Sequence, residues 1–277
     1  MRFVTFDTPQ LSARAGLLVG NHVVEIQGRT VRSILSEGER GLDQIRKLEK
    51  RDGVALDKVR LAPPIPDPQK IICVGQNYRD HCLEQNAPIP TSPIIFTKFI
   101  TSLTGPRDNV VLPRVSEQID YEVELAFVIG KGGKHIPEER ALEHVAGCMV
   151  FNDVTARDIQ FGDKQWVRGK SCDTFAPCGP ALVTSDEIAD PQNLKLEMKL
   201  NGQVMQSSNT SQMIFGVAYL ISFLSRTLTW TPGDIVATGT PPGVGVFRKP
   251  PVFLKPGDRL VATVEKLGSL ENTCVAE

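Results

Sequence analysis

Closely spaced acids near the middle of the sequence have the types and spacing that suit a metal ion. In DYEVELAFVIG, the two-residue period of a β-strand places Asp120, Glu122 and Glu124 on one face, which continues as Ala126 and Val128. Two carboxylates this close repel one another, and burying them is costly unless a cation or a proton neutralises them. A strand whose acids face water has the same pattern. The segment alone therefore leaves a metal site and a solvated strand face open.

A third acid, Asp153, favours the metal site. It follows the apolar run HVAGCMVF and Asn152, so it emerges at the end of a buried strand, where site residues are common. Taken alone, Asp153 is typical of a turn or a cap. Together with Glu122 and Glu124 it predicts an all-oxygen site. Such a site favours Mg²⁺ or Mn²⁺ over Zn²⁺, and three carboxylates fall short of the ligand number of Ca²⁺.

His81 is the best candidate for a catalytic base among the four histidines. In CVGQNYRDHCLEQN a strand breaks at Gly75, and His81 and Glu84 follow at an i, i+3 spacing. One helical turn would let the carboxylate orient the ring and raise its basicity. A surface pair without a function has the same spacing.

Two glycine-containing stretches look like nucleotide-binding loops but have the wrong spacing. The GKS stretch at 169–171 lacks the glycine that a phosphate loop needs at Lys164, and TGTPPGVG at 238–245 is not G-x-G-x-x-G. Lys170 suits an anionic substrate oxygen or a developing enolate, unless it is an ordinary surface lysine. The loop at 238–245 is either a plain turn or a site where backbone N–H groups and the Thr240 hydroxyl meet a carboxylate.

Composition excludes several classes of protein. The 277 residues carry 31 Lys and Arg against 32 Asp and Glu, a formal net charge of -1, so we expect neither nucleic acid nor a membrane surface as a partner. The six cysteines form no C-x-x-C pair, which favours reduced thiols over a zinc site. MRFVTFDTPQ has no apolar secretion signal, so we expect a cytoplasmic protein, or a mitochondrial matrix protein if this is a processed chain.

The secondary structure pattern predicts an α+β fold that is mainly β. Short strands with a turn at Gly20-Asn21 and helices over 30–36 and 39–50 suggest a small N-terminal α/β module at 1–62. Four prolines in the segment 63–68 predict a linker before a strand-rich domain at 69–277. In that domain Asn201-Gly202 predicts a hairpin, and helices are predicted over 137–146 and 211–226.

Five stretches, in this order and spacing, resemble the fumarylacetoacetate hydrolase family. They are CVGQNYRDH, DYEVELAFVIG, NDVTARDIQ, the GKS stretch and TGTPPGVG. The resemblance covers 68–277, and five motifs in register are far more specific than any one of them. SSNTSQMIF and GTPPGVGVFRKPPVFLKPGD are similar to one subgroup, the domain-containing protein 2 type, which is mitochondrial in animals.

The resemblance implies a mixed β-sandwich roll, usually in a homodimer, with Mg²⁺ or Mn²⁺ as cofactor. It implies a catalytic dyad on a mobile lid and a small anionic 2-oxo acid as substrate. The residues that it assigns are Glu122, Glu124 and Asp153 for the metal, His81 and Glu84 for the dyad, and Lys170, Arg157, Gln160 and Thr240 for the substrate.

The expected chemistry passes through an enolate of the 2-oxo acid at the metal. Three reactions share that intermediate, and the subgroup resemblance favours enol–keto tautomerisation of oxaloacetate. The alternatives are hydrolysis of a C–C bond in acylpyruvates or fumarylacetoacetate-like compounds, and decarboxylation of oxaloacetate. A metal-dependent binder of organic acids without catalysis is a further alternative, because one fold can host different functions.

Overall fold

A computed structural model describes residues 1–277 and contains more strand (37%) than helix (24%), which confirms the predicted α+β, mainly β class. The strands are β1 Arg2–Thr8, β2 Leu11–Val19, β3 His22–Glu25, β4 Val54–Ala55, β5 Arg60–Ala62, β6 Ile71–Gly75, β7 Ile94–Thr97, β8 Leu103–Thr104, β9 Val110–Leu112, β10 Ile119–Asp120, β11 Val123–Ile129, β12 Val145–Asn152, β13 Thr155–Ala156, β14 Ala176–Thr184, β15 Lys195–Leu200, β16 Gln203–Asn209, β17 Ile235–Ala237, β18 Arg259–Val264 and β19 Gly268–Ala276.

The helices are short. The α-helices are α1 Val31–Ser36, α2 Glu39–Arg46, α3 Arg79–Glu84, α4 Arg157–Asp163, α5 Val167–Lys170 and α6 Val217–Ser225. The 3₁₀ turns are Lys47–Lys50, Leu56–Lys58, Ile100–Ser102, Glu138–His144, Ser185–Glu187, Thr210–Gln212 and Gly245–Phe247. No helix has the length and apolar character needed to cross a bilayer.

Two large sheets and one small one form the framework. The 12-stranded sheet runs β4-β3-β2-β1-β14-β12-β11-β17-β6-β7, with β5 beside β1 and β8 beside β14. The 5-stranded sheet runs β16-β15-β18-β19-β9, and β10 pairs with β13. Most neighbours are antiparallel, whereas β6–β17, β8–β14 and β9–β19 are parallel. The sheets are therefore mixed.

Strand β11 lies in the middle of the large sheet and is buried on both faces. Leu125 and Phe127 belong to the larger apolar core, which also holds residues of β15, β18, β19 and α6. Ala126 and Val128 point the other way, into a second core shared with β1, α1 and α2. The predicted face that continues from the acids into Ala126 and Val128 therefore leads into the protein interior.

The N-terminal strands extend the large sheet. Strand β1 pairs with β14 as well as with β2 and β5, so the first 62 residues and the following domain share one sheet. The turn at Gly20 and the hairpin at Asn201-Gly202 form as predicted, the latter with positive φ at both residues. Helix α1 begins at the capping residue Thr30. The boundary at 63–68 remains a prediction about which parts fold independently.

Two predicted helices differ from the structure. The segment 137–146 forms a 3₁₀ turn that ends at His144, because Val145 already pairs with Ile129 as the start of β12. The helix predicted over 211–226 begins only at Val217. The backbone oxygen of Asn77 accepts a hydrogen bond from the N–H of Ile214, and its side chain accepts one from the N–H of Phe215, so these residues are held outside the helix.

We predict that Gly147→Ala destabilises the large sheet. A Cβ at Gly147 would lie 2.1 Å from the backbone oxygen of Val183 on the neighbouring strand, so β12 and β14 would have to separate. Overpacking of this kind costs about 1–3 kcal/mol, measurable by urea unfolding. At Gly162 nothing lies within 4 Å of the added Cβ, so Gly162→Ala is the control. Equal stability of the two variants would contradict the prediction.

Candidate active site

The structure brings the three predicted acids together. Glu122 precedes β11 and Asp153 follows β12, and the pairing of Val123 with Asn152 places the two strand ends side by side. The backbone N–H of Asp153 donates to the carbonyl oxygen of Glu122 at 2.9 Å. Carboxylate oxygens of Glu122, Glu124 and Asp153 all lie within 4.8 Å of one another, and the three residues are 6%, 2% and 0% exposed. The acids therefore form a buried cluster.

Two buried lysines compensate part of this charge. Lys170 Nζ donates to Glu122 Oε2 at 2.6 Å and to Asp153 Oδ2 at 2.8 Å. Lys98 Nζ donates to Asp153 Oδ1 at 2.6 Å and to the carbonyl oxygen of Val154 at 3.1 Å. Glu124 has no ion pair, and its Oε2 accepts only the backbone N–H of Gly239, at 2.8 Å. One buried carboxylate is thus left for a further cation.

The pKa values of the two glutamates move in opposite directions. Burial raises the pKa of Glu122, but the ammonium of Lys170 and the guanidinium of Arg157 outweigh it and lower the pKa to about 2. Burial, together with the charges of Asp153 and Glu122, raises the pKa of Glu124 well above its ordinary value. The pKa of Lys170 is depressed by burial but raised further by Asp153 and Glu122. Lys170 is therefore an ammonium.

The acids fit a divalent metal ion. Glu122, Glu124 and Asp153 supply hard oxygen ligands, and the uncompensated charge of Glu124 is what a cation would neutralise. The set contains no sulfur or imidazole, which agrees with the predicted preference for Mg²⁺ or Mn²⁺. Their role as metal ligands and the identity of the ion remain predictions.

His81 and Glu84 form the predicted pair on helix α3. The Nδ1 atom of His81 lies 2.9 Å from Glu84 Oε2, and His81 is 6% exposed. The other carboxylate oxygen of Glu84 accepts the backbone N–H of Gly243 at 2.9 Å. Glu84 therefore orients the ring and attaches α3 to the loop at 238–245.

The predicted substrate-binding residues line the same pocket but already have protein partners. Arg157 Nε donates to Asp120 Oδ2 at 2.9 Å, and its Nη1 donates to Gln160 Oε1 at 3.1 Å. Arg157 Nη2 also lies 2.7 Å from Glu122 Oε1. The Thr240 hydroxyl donates to the carbonyl oxygen of Val123 and accepts from Gln206. Their direct contact with a substrate remains a prediction.

The loop at 238–245 binds carboxylates of the protein itself. The backbone N–H groups of Gly239 and Gly243 donate to Glu124 and Glu84, and the N–H of Gly245 donates to Asp120 at 2.7 Å. The expected contact between loop amides and a carboxylate is therefore present, but it is internal. The loop connects the acid cluster to the dyad.

A pocket of about 100 Å³ opens on these groups. Aromatic side chains form much of its wall, and Lys170 Nζ lies 5.1 Å from the centroid of the Phe96 ring. The pocket is lined by Val74, Gly75, Gln76, His81, Gln85, Phe96, Glu122, Glu124, Arg157, Gln160, Phe161, Trp166, Lys170, Thr240 and Phe247.

Sequence reasoning missed one charged residue of the site, Lys98, and grouped another, Asp120, with the wrong partners. Lys98 is 2% exposed and forms an ion pair with Asp153. The sequence feature that could have indicated a buried lysine is its position inside the apolar run PIIFTKFI. Asp120 was grouped with the glutamates by strand period. However, the strand is interrupted after Asp120, whose carboxylate instead binds Arg157 and the N–H groups of Gly245 and Val246. Asp120 therefore fixes the position of Arg157 relative to the backbone at Gly245 and Val246.

The chain belongs to the fumarylacetoacetate hydrolase family. The family model described as fumarylacetoacetate (FAA) hydrolase C-terminal matches residues 70–275. The chain is 49% identical over 288 residues to the Bos taurus protein named oxaloacetate tautomerase FAHD2A, mitochondrial, covering 99% of this chain and 92% of that protein. This likeness confirms the resemblance to the domain-containing protein 2 subgroup.

Solved structures confirm the family fold. A fumarylacetoacetate hydrolase from psychrophilic Exiguobacterium antarcticum matches with a TM-score of 0.86 and 36% identity, covering 100% of both chains. A maleylpyruvate hydrolase from Sphingobium sp. SYK-6, in complex with manganese(II) and pyruvate, matches with a TM-score of 0.83 and 29% identity, covering 100% of this chain and 99% of that one.

We predict that Glu124→Gln stabilises the metal-free protein increasingly as pH rises. A carboxyl whose pKa is raised on folding contributes stability below its ordinary value of 4.5 and loses that contribution as pH increases toward the folded value. A glutamine at this position does not ionise, so the variant does not lose stability in this way as pH rises. In the presence of a chelator, the melting temperature of the variant should match that of the parent near pH 4 and exceed it at pH 7. A difference independent of pH would contradict the prediction.

We also predict that Lys98→Met destabilises the metal-free protein by about 3 kcal/mol, because breaking a buried ion pair leaves Asp153 with less compensation. Denaturant unfolding in chelator measures the loss. Lys58→Met, at an exposed lysine, is the control and should change stability by less than about 0.5 kcal/mol. If the two variants unfold alike, Lys98 does not compensate Asp153.

Proposed function

We propose that the protein is a divalent-metal-dependent enzyme that interconverts the enol and keto forms of oxaloacetate. One observation carries the proposal: a histidine oriented by a carboxylate opens into the same pocket as a buried acid cluster that lacks one cation. The name of the 49% identical relative, an oxaloacetate tautomerase, supports this reaction among those that the site could host.

The charge balance of the pocket supports a small anionic 2-oxo acid as substrate. Four buried carboxylates face three buried cations, so the cluster has one formal negative charge without metal and one positive charge with a divalent ion. A net positive pocket attracts an anion. The charged side chains are Asp120, Glu122, Glu124 and Asp153 against Lys98, Arg157 and Lys170.

Glu122, Glu124 and Asp153 would hold Mg²⁺ or Mn²⁺. The ion, when bound, supplies a Lewis acid that stabilises negative charge on oxygen. The structure of the maleylpyruvate hydrolase relative with manganese(II) supports a metal in this family. Lys170 keeps Glu122 ionised, and Lys98 and Lys170 hold Asp153 in place for that role.

His81 carries the proton in the proposed reaction. Ketonisation moves one proton from the enol oxygen to the neighbouring carbon and changes no other atom. The Nε2 atom of His81 accepts the hydroxyl proton, and the imidazolium then returns a proton to that carbon. The C=C electron pair forms the new C–H bond, and the oxygen lone pair forms C=O. Glu84 stabilises the imidazolium from Nδ1.

The remaining pocket residues orient the substrate. Lys170 presents an ammonium that can donate to an anionic oxygen, and Phe96 beside it excludes water. Arg157, Gln160 and Thr240 line the same pocket and would bind the carboxylate groups. In each case the substrate would share or replace a hydrogen bond that the side chain already makes.

Assembly and location are part of the proposal. A homodimer is supported by the apolar surface beside edge strand β7, where Phe99 and Ile100 are 58% and 46% exposed. Sedimentation analysis tests it.

The names of close relatives include the word mitochondrial, which supports the matrix alternative over the cytoplasm. We propose neither nucleic acid nor a membrane as a partner.

We predict that His81→Ala lowers kcat for ketonisation at least about 100-fold, because proton transfer by a positioned side chain contributes about 10²–10⁴. Chelation should abolish activity, and Mg²⁺ or Mn²⁺ should restore it. Each rate is compared with the uncatalysed rate, since free oxaloacetate tautomerises unaided. His135→Asn, which removes an exposed histidine, is the control and should retain full activity.

The same assay separates the alternative reactions. With Mn²⁺, ketonisation of enol-oxaloacetate, CO₂ release from oxaloacetate and C–C cleavage of acylpyruvates are followed separately. Dominant CO₂ release would identify a decarboxylase, and dominant cleavage a hydrolase. Tight metal-dependent binding of all these acids with no rate change in His81→Ala would identify a binder. Any of these results would overturn the proposed tautomerase.

A further inference from the structure

Both ring nitrogens of His81 are hydrogen bonded to neighbours on the same helix turn. Nδ1 lies 2.9 Å from Glu84 Oε2, and Nε2 lies 2.7 Å from Nε2 of Gln85, the residue directly after α3. Gln85 also lines the pocket, and the Phe247 ring lies with its centroid 6.0 Å from that of His81. Gln85 therefore covers the nitrogen that the proposed reaction uses.

These two contacts select one tautomer of the neutral ring. An ionised carboxylate only accepts hydrogen bonds, so Nδ1 of His81 must carry the hydrogen that faces Glu84. Nε2 then has a lone pair, and the amide NH₂ of Gln85 is a donor at 2.7 Å from it. The arrangement is self-consistent: each ring nitrogen meets the partner that this tautomer requires.

A glutamine can also accommodate the protonated ring. Its amide contains both a donor and an acceptor, so turning the amide by half a rotation presents Oε1 to an Nε2–H. Neither a hydrocarbon nor a carboxylate side chain can serve both states. Position 85 thus has a neutral side chain that can pair with His81 before and after it takes a proton.

We propose that Gln85 is a positioning residue that donates a hydrogen bond to Nε2 of the Nδ1–H tautomer of His81 and yields that nitrogen to the substrate. Its role in turnover rests on the proposed function, whereas its effect on the ring does not. In the resting enzyme the amide keeps the lone pair directed into the pocket. When substrate enters, its proton replaces the amide hydrogen at Nε2.

Nitrogen NMR of the ¹⁵N-histidine-labelled full chain tests the effect on the ring. The chain has only four histidines, and His81→Ala identifies the signal. The parent should show a protonated Nδ1 and an unprotonated Nε2. Gln85→Met should keep this tautomer, because Glu84 still accepts from Nδ1, but its Nε2 resonance should move downfield because the hydrogen bond from the amide is lost. An Nε2 resonance at the same position in the parent and Gln85→Met would overturn the proposal.

Kinetics test the role in turnover. Gln85→Met should lower kcat about three- to tenfold, the range that corresponds to one hydrogen bond, while KM changes less than about twofold. Gln85→Glu should lower kcat further, because a carboxylate cannot donate a hydrogen bond to the Nε2 lone pair. Leu83→Ala is the matched control: its side chain lies on the same helix, is 73% exposed and should leave kcat unchanged. An unchanged kcat in Gln85→Met would also overturn the proposal.

The two measurements separate this inference from the proposed function. If the parent does not accelerate ketonisation, the tautomerase proposal fails, and the NMR comparison still decides whether Gln85 donates to Nε2 of His81. If the parent is active but Gln85→Met keeps both its Nε2 resonance and its kcat, only the role of Gln85 fails.

Discussion

Crowding of buried carboxylates where β11 begins is the constraint on which the rest of the site depends. Removing charge from water is expensive, and a protein retains such charges only when cations or hydrogen bonds compensate them. Here Lys170 and Arg157 keep Glu122 ionised, and Lys98 faces Asp153. Glu124 has only a backbone N–H. The incomplete compensation makes the cluster receptive to a divalent ion.

The loop at 238–245 joins the acid cluster to the histidine dyad. Its amides donate to carboxylates of three elements, α3, β10 and β11, so a shift of the loop would move all three. Glycine is required at two of these positions. Both Gly239 and Gly243 have positive φ, and a Cβ at Gly243 would lie 2.0 Å from the carbonyl oxygen of Met205. Backbone conformation and site geometry are therefore coupled.

Local sequence signals were reliable where the partner of an element is close in the chain. The hairpin at Asn201-Gly202 and the helix predicted over 30–36 need only their neighbours, and both form, the helix with Thr30 as its cap. The helix predicted from residue 211 was wrong over its first turns, because Asn77, more than 130 residues earlier in the chain, binds the backbone at Phe215. A periodic apolar pattern contains no information about such a distant hydrogen bond.

The sequence by itself determined which groups are available: a close pair of glutamates, an aspartate after an apolar strand, and a histidine with a glutamate three residues on. Residue type and strand or helix period are local properties, so these could be read directly. Only the tertiary structure decided that Lys98 faces Asp153 and that Arg157 binds Asp120. Strand pairing and loop path bring together residues far apart in the chain, and no local spacing encodes those distances.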